Sequence, residues 1–255
     1  MAPLTGLLGL LRADLLKTRR TPFLLIHLLA PLIGAGIFLA YYSYSSWSST
    51  DKVLAYLQVL GCALPTLIGL VCSMAAEQEA AAGHFQGMLT TPGNKIKAYA
   101  SKLLMLLLFG FGAILLASVL FGLGFRGILH QDRLEMLFYL IGAFILFGSS
   151  LPLYLLHGFV SLRFGRGASI GLGIVGSLIA ALLLTGLGDG IWPYIPFGWS
   201  ARFASMWTVW SSGTAASPAL SGLDAGITVW ALGTALASIL SCAWFTHWEG
   251  RSTDN

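Results

Sequence analysis

Residues 103–125 read LLMLLLFGFGAILLASVLFGLGF, a run of 23 residues without a charged side chain. At a rise of about 1.5 Å per residue, a helix of this length crosses the roughly 30 Å hydrocarbon core of a bilayer. The apolar residues are continuous, whereas strands of a membrane barrel alternate apolar and polar residues over about ten positions. The stretch therefore predicts a transmembrane α-helix.

Five further charge-free apolar stretches flank it, at residues 23–42, 53–76, 136–160, 168–187 and 225–246. Only 9% of the 255 residues are charged and 56% are hydrophobic, whereas about a quarter of the residues in a soluble domain are charged. A soluble protein of this composition would lack the polar groups to cover its surface. We therefore expect an all-α, multi-pass membrane protein, with residues 1–255 forming a single transmembrane domain of six transmembrane helices.

The basic residues predict which side of the membrane each connection faces. Because connections rich in Lys and Arg stay in the cytoplasm, we expect both termini to be cytoplasmic. The net charge of +4 then reflects topology and does not indicate nucleic-acid binding. The predicted cytoplasmic group comprises Arg12, Lys17, Arg19, Arg20, Lys95, Lys97, Lys102, Arg163, Arg166 and Arg251.

The N-terminal residues predict a helix on the membrane surface. Leucines recur there at helical spacing, at Leu4, Leu7, Leu8, Leu11 and Leu15. We expect residues 4–20 to lie in the interface as an amphipathic helix, with the basic end facing anionic headgroups.

The connection between the second and third spans contains a short helical pattern. An acidic pair begins the pattern and Pro92 ends it, which predicts a helix over residues 77–91. Its apolar face is formed by three residues at i, i+3 and i+4: Phe85, Met88 and Leu89. Such a face can insert into a groove on a soluble partner. The alternative is that the helix lies flat on the lipid, where the acidic pair is unfavourable.

The outer connection at residues 188–224 contains four tryptophans: Trp192, Trp199, Trp207 and Trp210. Closely spaced prolines exclude one straight helix, so we expect a re-entrant segment of short helices that dip into the outer leaflet. Indole rings favour the headgroup layer in membrane proteins generally. The tryptophans therefore indicate either an ordinary aromatic belt, which is the commoner arrangement, or the path of an amphipathic substrate.

Several functional classes lack their sequence signatures. The chain has no G-x-x-x-x-G-K-[ST] phosphate loop and no H-E-x-x-H pair, so we expect no catalytic residues, no metal site and no ATP bound by this chain. The predicted spans contain no Asp, Glu, Lys or Arg, which ion-coupled transporters usually need at membrane depth. The sequence thus predicts a non-enzymatic membrane body whose energy source lies in another subunit.

The 77–91 region resembles the conserved cytoplasmic segment of ABC-2 type permeases, most closely that of lantibiotic-immunity permease subunits. The resemblance rests on Glu77-x-Glu79, Gly83-His84-Phe85-Gln86, Leu89, Pro92 and Lys102. Two positions depart from the family pattern. His84 stands where relatives often have Asn, and Gly87 interrupts the helical pattern.

The resemblance implies a subunit of the bacterial cell membrane that pairs with a second permease subunit, identical or homologous, and with two cytoplasmic ATPases that bind ATP and Mg²⁺. The cargo would be a lantibiotic or similar antimicrobial peptide, expelled for self-immunity. The alternatives are another lipid or drug substrate, or a scaffold or sensor that transports nothing. The implied ATPase contact comprises Glu77, Glu79, His84, Phe85, Gln86, Met88 and Leu89.

The family also implies that the fifth span lies near the subunit interface. That span carries a face of small residues, which includes Gly167, Gly171, Gly173 and Ser177. Small residues let helix backbones approach closely, so this face either packs within one subunit or joins two subunits.

Overall fold

The computed structural model describes residues 6–18, 21–90, 95–131, 134–213 and 220–251. These residues contain no strand, which confirms the predicted all-α fold. Their α-helices are α1 (Leu7–Thr18), α2 (Phe23–Tyr42), α3 (Ser49–Ala81), α4 (Gln86–Leu89), α5 (Lys95–Gly127), α6 (Met136–Phe164), α7 (Arg166–Leu182), α8 (Trp199–Ser211) and α9 (Leu223–His247). The predicted ends of the surface helix, at residues 4 and 20, lie outside the described residues, as does the predicted end of the coupling helix at residue 91.

Five described helices are long and apolar enough to cross a membrane: α2, α3, α5, α6 and α9. The fifth predicted span is the exception, because α7 has only 17 residues, about 25 Å by helical rise. It ends at Leu182, so the prediction that this span continues to residue 187 is wrong. The Thr185 hydroxyl accepts a hydrogen bond from the Leu187 N–H and begins a 3-10 turn, which stops the α-helix. That α7 crosses the bilayer stays a prediction.

Two helices extend well beyond their predicted spans. α3 and α5 each contain 33 residues, about 50 Å by helical rise, which exceeds the thickness of the hydrocarbon core. Their ends carry charged residues that the sequence analysis placed in connections, including Glu77 and Glu79 on α3 and Lys95 and Lys102 on α5. We call this end of the bundle, where α1 also lies, the basic end.

α3 lies at the centre of the bundle and contacts α5, α6, α7 and α8. α2 packs mainly against α5, and α9 packs mainly against α6, so both are peripheral. Their outward faces expose large aliphatic side chains, including Leu32 and Ile37 on α2 and Leu232 and Ile239 on α9. Such extended apolar surface is expected where the solvent is lipid.

Small residues bring α7 close to α3. A Cβ atom at Gly173 would lie 2.7 Å from the carbonyl oxygen of Pro65, so only glycine permits this approach. One turn further, Ser177 Oγ lies 2.7 Å from Thr66 Oγ1. Ser169 Oγ donates a hydrogen bond of 3.0 Å to another backbone carbonyl of α3. Part of the predicted small-residue face of α7 therefore packs against α3 of the same subunit.

We expect Gly173→Leu to destabilise the protein, because the larger side chain would separate α7 from α3. Overpacking of this kind costs about 1–3 kcal/mol. Gly112→Leu is the matched control, since Gly112 is exposed on α5 and no atom lies within 4 Å of a Cβ at this position. Thermal unfolding of both purified variants in detergent tests this packing, and equal midpoints for the two would contradict it.

Candidate functional site

A buried cluster of charged side chains joins three helices at the basic end. We call it the Lys102 cluster; its members are Asp14 and Lys17 of α1, Glu79 of α3, and Ser101 and Lys102 of α5. Lys102 Nζ lies 2.7 Å from both Asp14 Oδ1 and Glu79 Oε1. Lys17 Nζ lies 2.7 Å from Glu79 Oε1. Ser101 Oγ donates a hydrogen bond of 2.6 Å to Asp14 Oδ2.

The cluster balances its charges, since two ammonium groups face two carboxylates. The side chains of Lys102 and Glu79 are only 7% and 2% exposed, so both groups have lost most of their hydration. A buried charge is costly unless it is paired, and each of the four charged groups has an opposite charge at 2.7 Å. Removal of one charged group would leave the cluster with an unbalanced charge in a largely buried site. The cluster is therefore a strong constraint on the positions of α1, α3 and α5.

One prediction needs correction at this cluster. Glu79, predicted to contact an ATPase, is buried between two lysines of its own chain. Lys17 pairs with Glu79 and remains 36% exposed, so it stays a prediction that the basic end of α1 faces headgroups. The partners Lys17 and Glu79 lie 62 residues apart in the sequence, and Asp14 and Lys102 lie 88 apart. No local pattern reveals pairs separated by such distances.

The 82–90 segment joins α3 to α5, and it is not the predicted continuous helix. The prediction of a helix over 77–91 is wrong, because α3 ends at Ala81 and α4 contains only four residues. Between them, positive φ angles occur at Gly83 (122°), His84 (48°) and Phe85 (67°). Positive φ costs of order 1–3 kcal/mol for a residue other than glycine. Surrounding contacts must therefore hold His84 and Phe85 in place.

The His84 N–H donates a hydrogen bond of 2.8 Å to the Ala80 carbonyl, and the residues that follow α9 supply the contacts of Phe85. We call residues 248–251 the tail. The Trp248 ring lies 5.1 Å from the Phe85 ring, and the Arg251 guanidinium lies 5.6 Å from the same ring. Arg251 Nη2 also pairs with Glu77 Oε1 at 3.1 Å. The tail thus fixes the segment from one side, while the Lys102 cluster holds the flanking helices from the other.

The predicted apolar knob is consequently not exposed. Phe85 and Met88 are only 2% and 3% exposed, and Leu89 is half-buried. The exposed face of the segment is small and polar; it consists of Ala82, Gly83, His84, Gln86, Gly87 and Thr90. Of the predicted ATPase contacts, His84 and Gln86 lie on this face.

At the opposite end of the bundle, α6, α8 and α9 surround an apolar cavity of about 690 Å³, which we call the outer cavity. Its lining includes Phe144, Phe203, Trp207, Trp210, Ile227 and Trp230. Two tryptophans of the predicted substrate path, Trp207 and Trp210, therefore line the same cavity. Trp230 was not predicted as a site residue, because its sequence signal is only an indole ring inside an apolar span.

The other two tryptophans of the predicted path have a different position. Trp192 and Trp199 are only 1% and 2% exposed, and both pack against the connector between α7 and α9. Trp199 Nε1 donates a hydrogen bond of 2.9 Å to the Pro193 carbonyl. The prediction that these two rings border a substrate path is corrected: they are the packed core of the connector.

The chain matches the family model described as ABC-2 family transporter protein over residues 10–180, about two thirds of its length. The chain belongs to the ABC-2 transporter family. This permease is therefore a multi-pass membrane component of a transporter. The comparisons with curated proteins and with solved structures gave no match.

The family match covers most of α1, all of α2 to α6 and most of α7, and therefore includes the Lys102 cluster and the 82–90 segment. The connector after α7, α8, α9 and the tail lie beyond it. Among the described residues of the permease, no group of three His, Cys, Asp or Glu side chains could hold a metal ion.

The predicted subunit interface of the permease divides into two parts. Gly173 and Ser177 are occupied by α3 of the same subunit, so they are not available to a second one. Gly167 and Gly171 are exposed, and no atom lies within 4 Å of a Cβ at either position. A subunit interface at these two glycines stays a prediction.

We expect Lys102→Met to destabilise the permease, because it leaves the carboxylates of Asp14 and Glu79 without the ammonium group they share. Breaking a buried ion pair by removal of one partner costs about 3–5 kcal/mol. Lys97→Met serves as the control, since Lys97 is exposed on the same helix. Thermal unfolding in detergent compares the two. If both variants unfolded at the wild-type temperature, the cluster would not hold the three helices together.

Proposed function

We propose that this permease is the membrane subunit of an ATP-driven exporter, with the basic end and both termini in the cytoplasm. One observation carries the proposal: the 82–90 segment, whose polar face is exposed, lies between helices joined by paired charges, and its Phe85 ring packs edge-to-face against Trp248. The Lys102 cluster holds the helices on either side of it, and Arg251 contacts both Glu77 and Phe85. A surface attached in this way can pass a displacement to α1, α3, α5 and α9 together.

The energy would come from two cytoplasmic ATPase subunits that bind ATP and Mg²⁺, because the chain itself lacks a phosphate loop. Their contact is the small, polar face of the segment, centred on His84 and Gln86, and not the buried Phe85. A second permease subunit completes the complex. The exposed face of α7 at Gly167 and Gly171 is the proposed interface between the two permeases, since small residues permit close helix packing.

Gln86→Trp tests the ATPase contact. Gln86 is exposed, so a bulky ring there should obstruct docking without disturbing the core of the permease. We expect at least about a tenfold weaker association, which corresponds to roughly 1.4 kcal/mol. The measurement is the amount of ATPase recovered with purified permease across a range of ATPase concentrations.

Arg12→Trp is the control for that experiment, because Arg12 is exposed on α1 and lies outside the segment. Equal recovery of ATPase by Gln86→Trp and Arg12→Trp would contradict docking at this face. Phe85→Glu is a poorer test. The Phe85 ring is buried against the tail, so a carboxylate there would disturb the permease itself.

The proposed cargo is an amphipathic antimicrobial peptide, such as a lantibiotic, that is taken from the outer leaflet and expelled. A peptide with apolar rings partitions into that leaflet, which the orientation proposed above places at the level of the outer cavity. The Trp210 side chain is 57% exposed at the rim of this cavity and can contact such a peptide.

We expect Trp210→Ala to lower the tolerance of cells to the peptide, because it removes an exposed aromatic contact from the rim. Trp47→Ala is the matched control, since Trp47 is 51% exposed in the connection between α2 and α3 and does not line the cavity. The measurement is the growth-inhibiting concentration of a lantibiotic for cells that express each variant with its ATPase. Equal tolerance in the two strains, at equal permease levels, would count against this path.

Export of a lipid or drug is the second candidate function, and the apolar lining of the outer cavity favours it. Turnover by the copurified ATPase distinguishes the candidates. Stimulation by the peptide supports peptide export, and stimulation by a lipid or drug supports the second candidate. A scaffold or sensor would respond to neither.

A further inference from the structure

The outer cavity has the size of a ligand site. Its volume of about 690 Å³ lies within the range of roughly 300–1,000 Å³ that is common for small-molecule pockets. An apolar cavity of about 150 Å³ is enough to bind benzene. A space several times larger accommodates a flexible chain of many methylene groups.

The polar atoms on the inner walls of the cavity are already hydrogen-bonded within the protein. Trp207 Nε1 donates to the Phe138 carbonyl and Trp230 Nε1 donates to the Gly148 carbonyl, both at 3.1 Å. Ser149 Oγ donates a hydrogen bond of 2.6 Å to a backbone carbonyl of its own helix. Among the described lining residues none is charged.

Because these polar atoms already have hydrogen-bond partners, the cavity favours an occupant without polar groups. A peptide backbone would bring N–H and C=O groups into a space where the described residues of the inner walls offer no spare hydrogen-bond partner, which is unfavourable in an apolar medium. A hydrocarbon chain carries no such groups. Its contact with the walls would gain the free energy of apolar burial without the loss of any hydrogen bond.

The cavity also has an entrance on the outer surface of the bundle. Phe144, Trp210 and Ile227 line it and are 60%, 57% and 47% exposed. Their exposed faces are apolar, so a chain can enter sideways from the hydrocarbon layer. Trp210 can stay at the headgroup level, where indole rings are favoured.

We propose that the outer cavity binds one aliphatic chain of a membrane amphiphile, whose polar headgroup remains outside. This inference goes beyond the exporter function, because such binding requires neither nucleotide nor ATPase. The chain can belong to a bilayer phospholipid or to a single-chain amphiphile; both present the same hydrocarbon to the walls.

Gly148→Leu tests the proposal by filling the cavity. Gly148 lines it, and no atom lies within 4 Å of a Cβ at this position, so the new side chain enters open space. The backbone carbonyl that accepts the Trp230 hydrogen bond is retained. Gly112→Leu is the matched control, since Gly112 is exposed on α5, also has open space around its Cβ, and lies away from the cavity.

The experiment uses full-length permease in phosphatidylcholine nanodiscs without nucleotide. The discs contain a phospholipid with a diazirine near the end of one acyl chain, or in a second arm a diazirine-bearing fatty acid. After photolysis, mass spectrometry locates the labelled peptides. We expect the probes to label α6, α8 and α9 at the cavity. This labelling should be at least severalfold weaker in Gly148→Leu and unchanged in Gly112→Leu. The probe that labels more efficiently identifies the source of the chain.

Three results would overturn the proposal. Equal labelling of the cavity peptides in Gly148→Leu and Gly112→Leu would show that the probe labels an open lipid-facing surface. Protection of the cavity from both probes by a second copy of the permease would show that another subunit covers it. Displacement of the probes by an apolar peptide that itself labels the inner walls would assign the space to peptide. Since ATPase docking is absent from the experiment, its outcome is independent of whether the exporter function is correct.

Discussion

The ammonium group of Lys102, which the carboxylates of Asp14 and Glu79 share at 2.7 Å, is the interaction on which the rest of the structure depends. α3 and α5 are too long for the hydrocarbon core, so their charged ends extend beyond it. There α1 buries Glu79 and Lys102, and burial makes pairing necessary. α1 provides the missing carboxylate and a second ammonium group. Because all four charges are satisfied only when the three helices meet, the cluster fixes where the 82–90 segment begins and ends.

α9 runs from the outer cavity to the tail that contacts the 82–90 segment. It has 25 residues, about 37 Å by helical rise, and Ile227 and Trp230 near its beginning line the outer cavity. In its last turn, the Phe245 ring stacks on the Tyr99 ring of α5 with a centroid separation of 4.5 Å. The tail follows α9 directly. The family match stops before α8 and α9. Two of the three helices around the outer cavity, and the tail that covers the segment, therefore lie beyond the matched residues.

Much of the fold could be predicted from the sequence, because a helix that crosses the hydrocarbon core must be a long, continuous apolar stretch. α2 has the predicted limits, and α3, α5, α6 and α9 each contain a predicted span. The failures have local causes. α7 stops early at a Thr-capped turn, and the predicted coupling helix breaks where Gly83 takes a φ of 122°, although the glycine itself was a visible signal.

The candidate site was harder to predict, because its contacts join distant parts of the chain. Phe85 has the right spacing for an apolar knob, but only the folded chain places Trp248 and Arg251 against it. Glu79 looks like a surface carboxylate in the sequence until α1 and α5 surround it. Burial between elements that are far apart in sequence leaves no local pattern. The sequence placed His84 and Gln86 among the ATPase contacts, but only the structure separates these exposed residues from the buried Phe85 and Glu79.

The central claim is that the 82–90 segment moves together with α1 as one unit when the ATPases close. It is tested most directly by pulsed electron paramagnetic resonance on the reconstituted permease–ATPase complex, with the native cysteines replaced and nitroxides at Leu8 and Thr90. Both residues are exposed, and Thr90 lies at the end of the segment, away from the centre of the proposed docking face. The account predicts the same distance between the two labels without nucleotide and in the ATP-trapped state. A change of about 5 Å, one helical turn, would contradict it by showing that the segment moves independently of the helices to which the Lys102 cluster binds it.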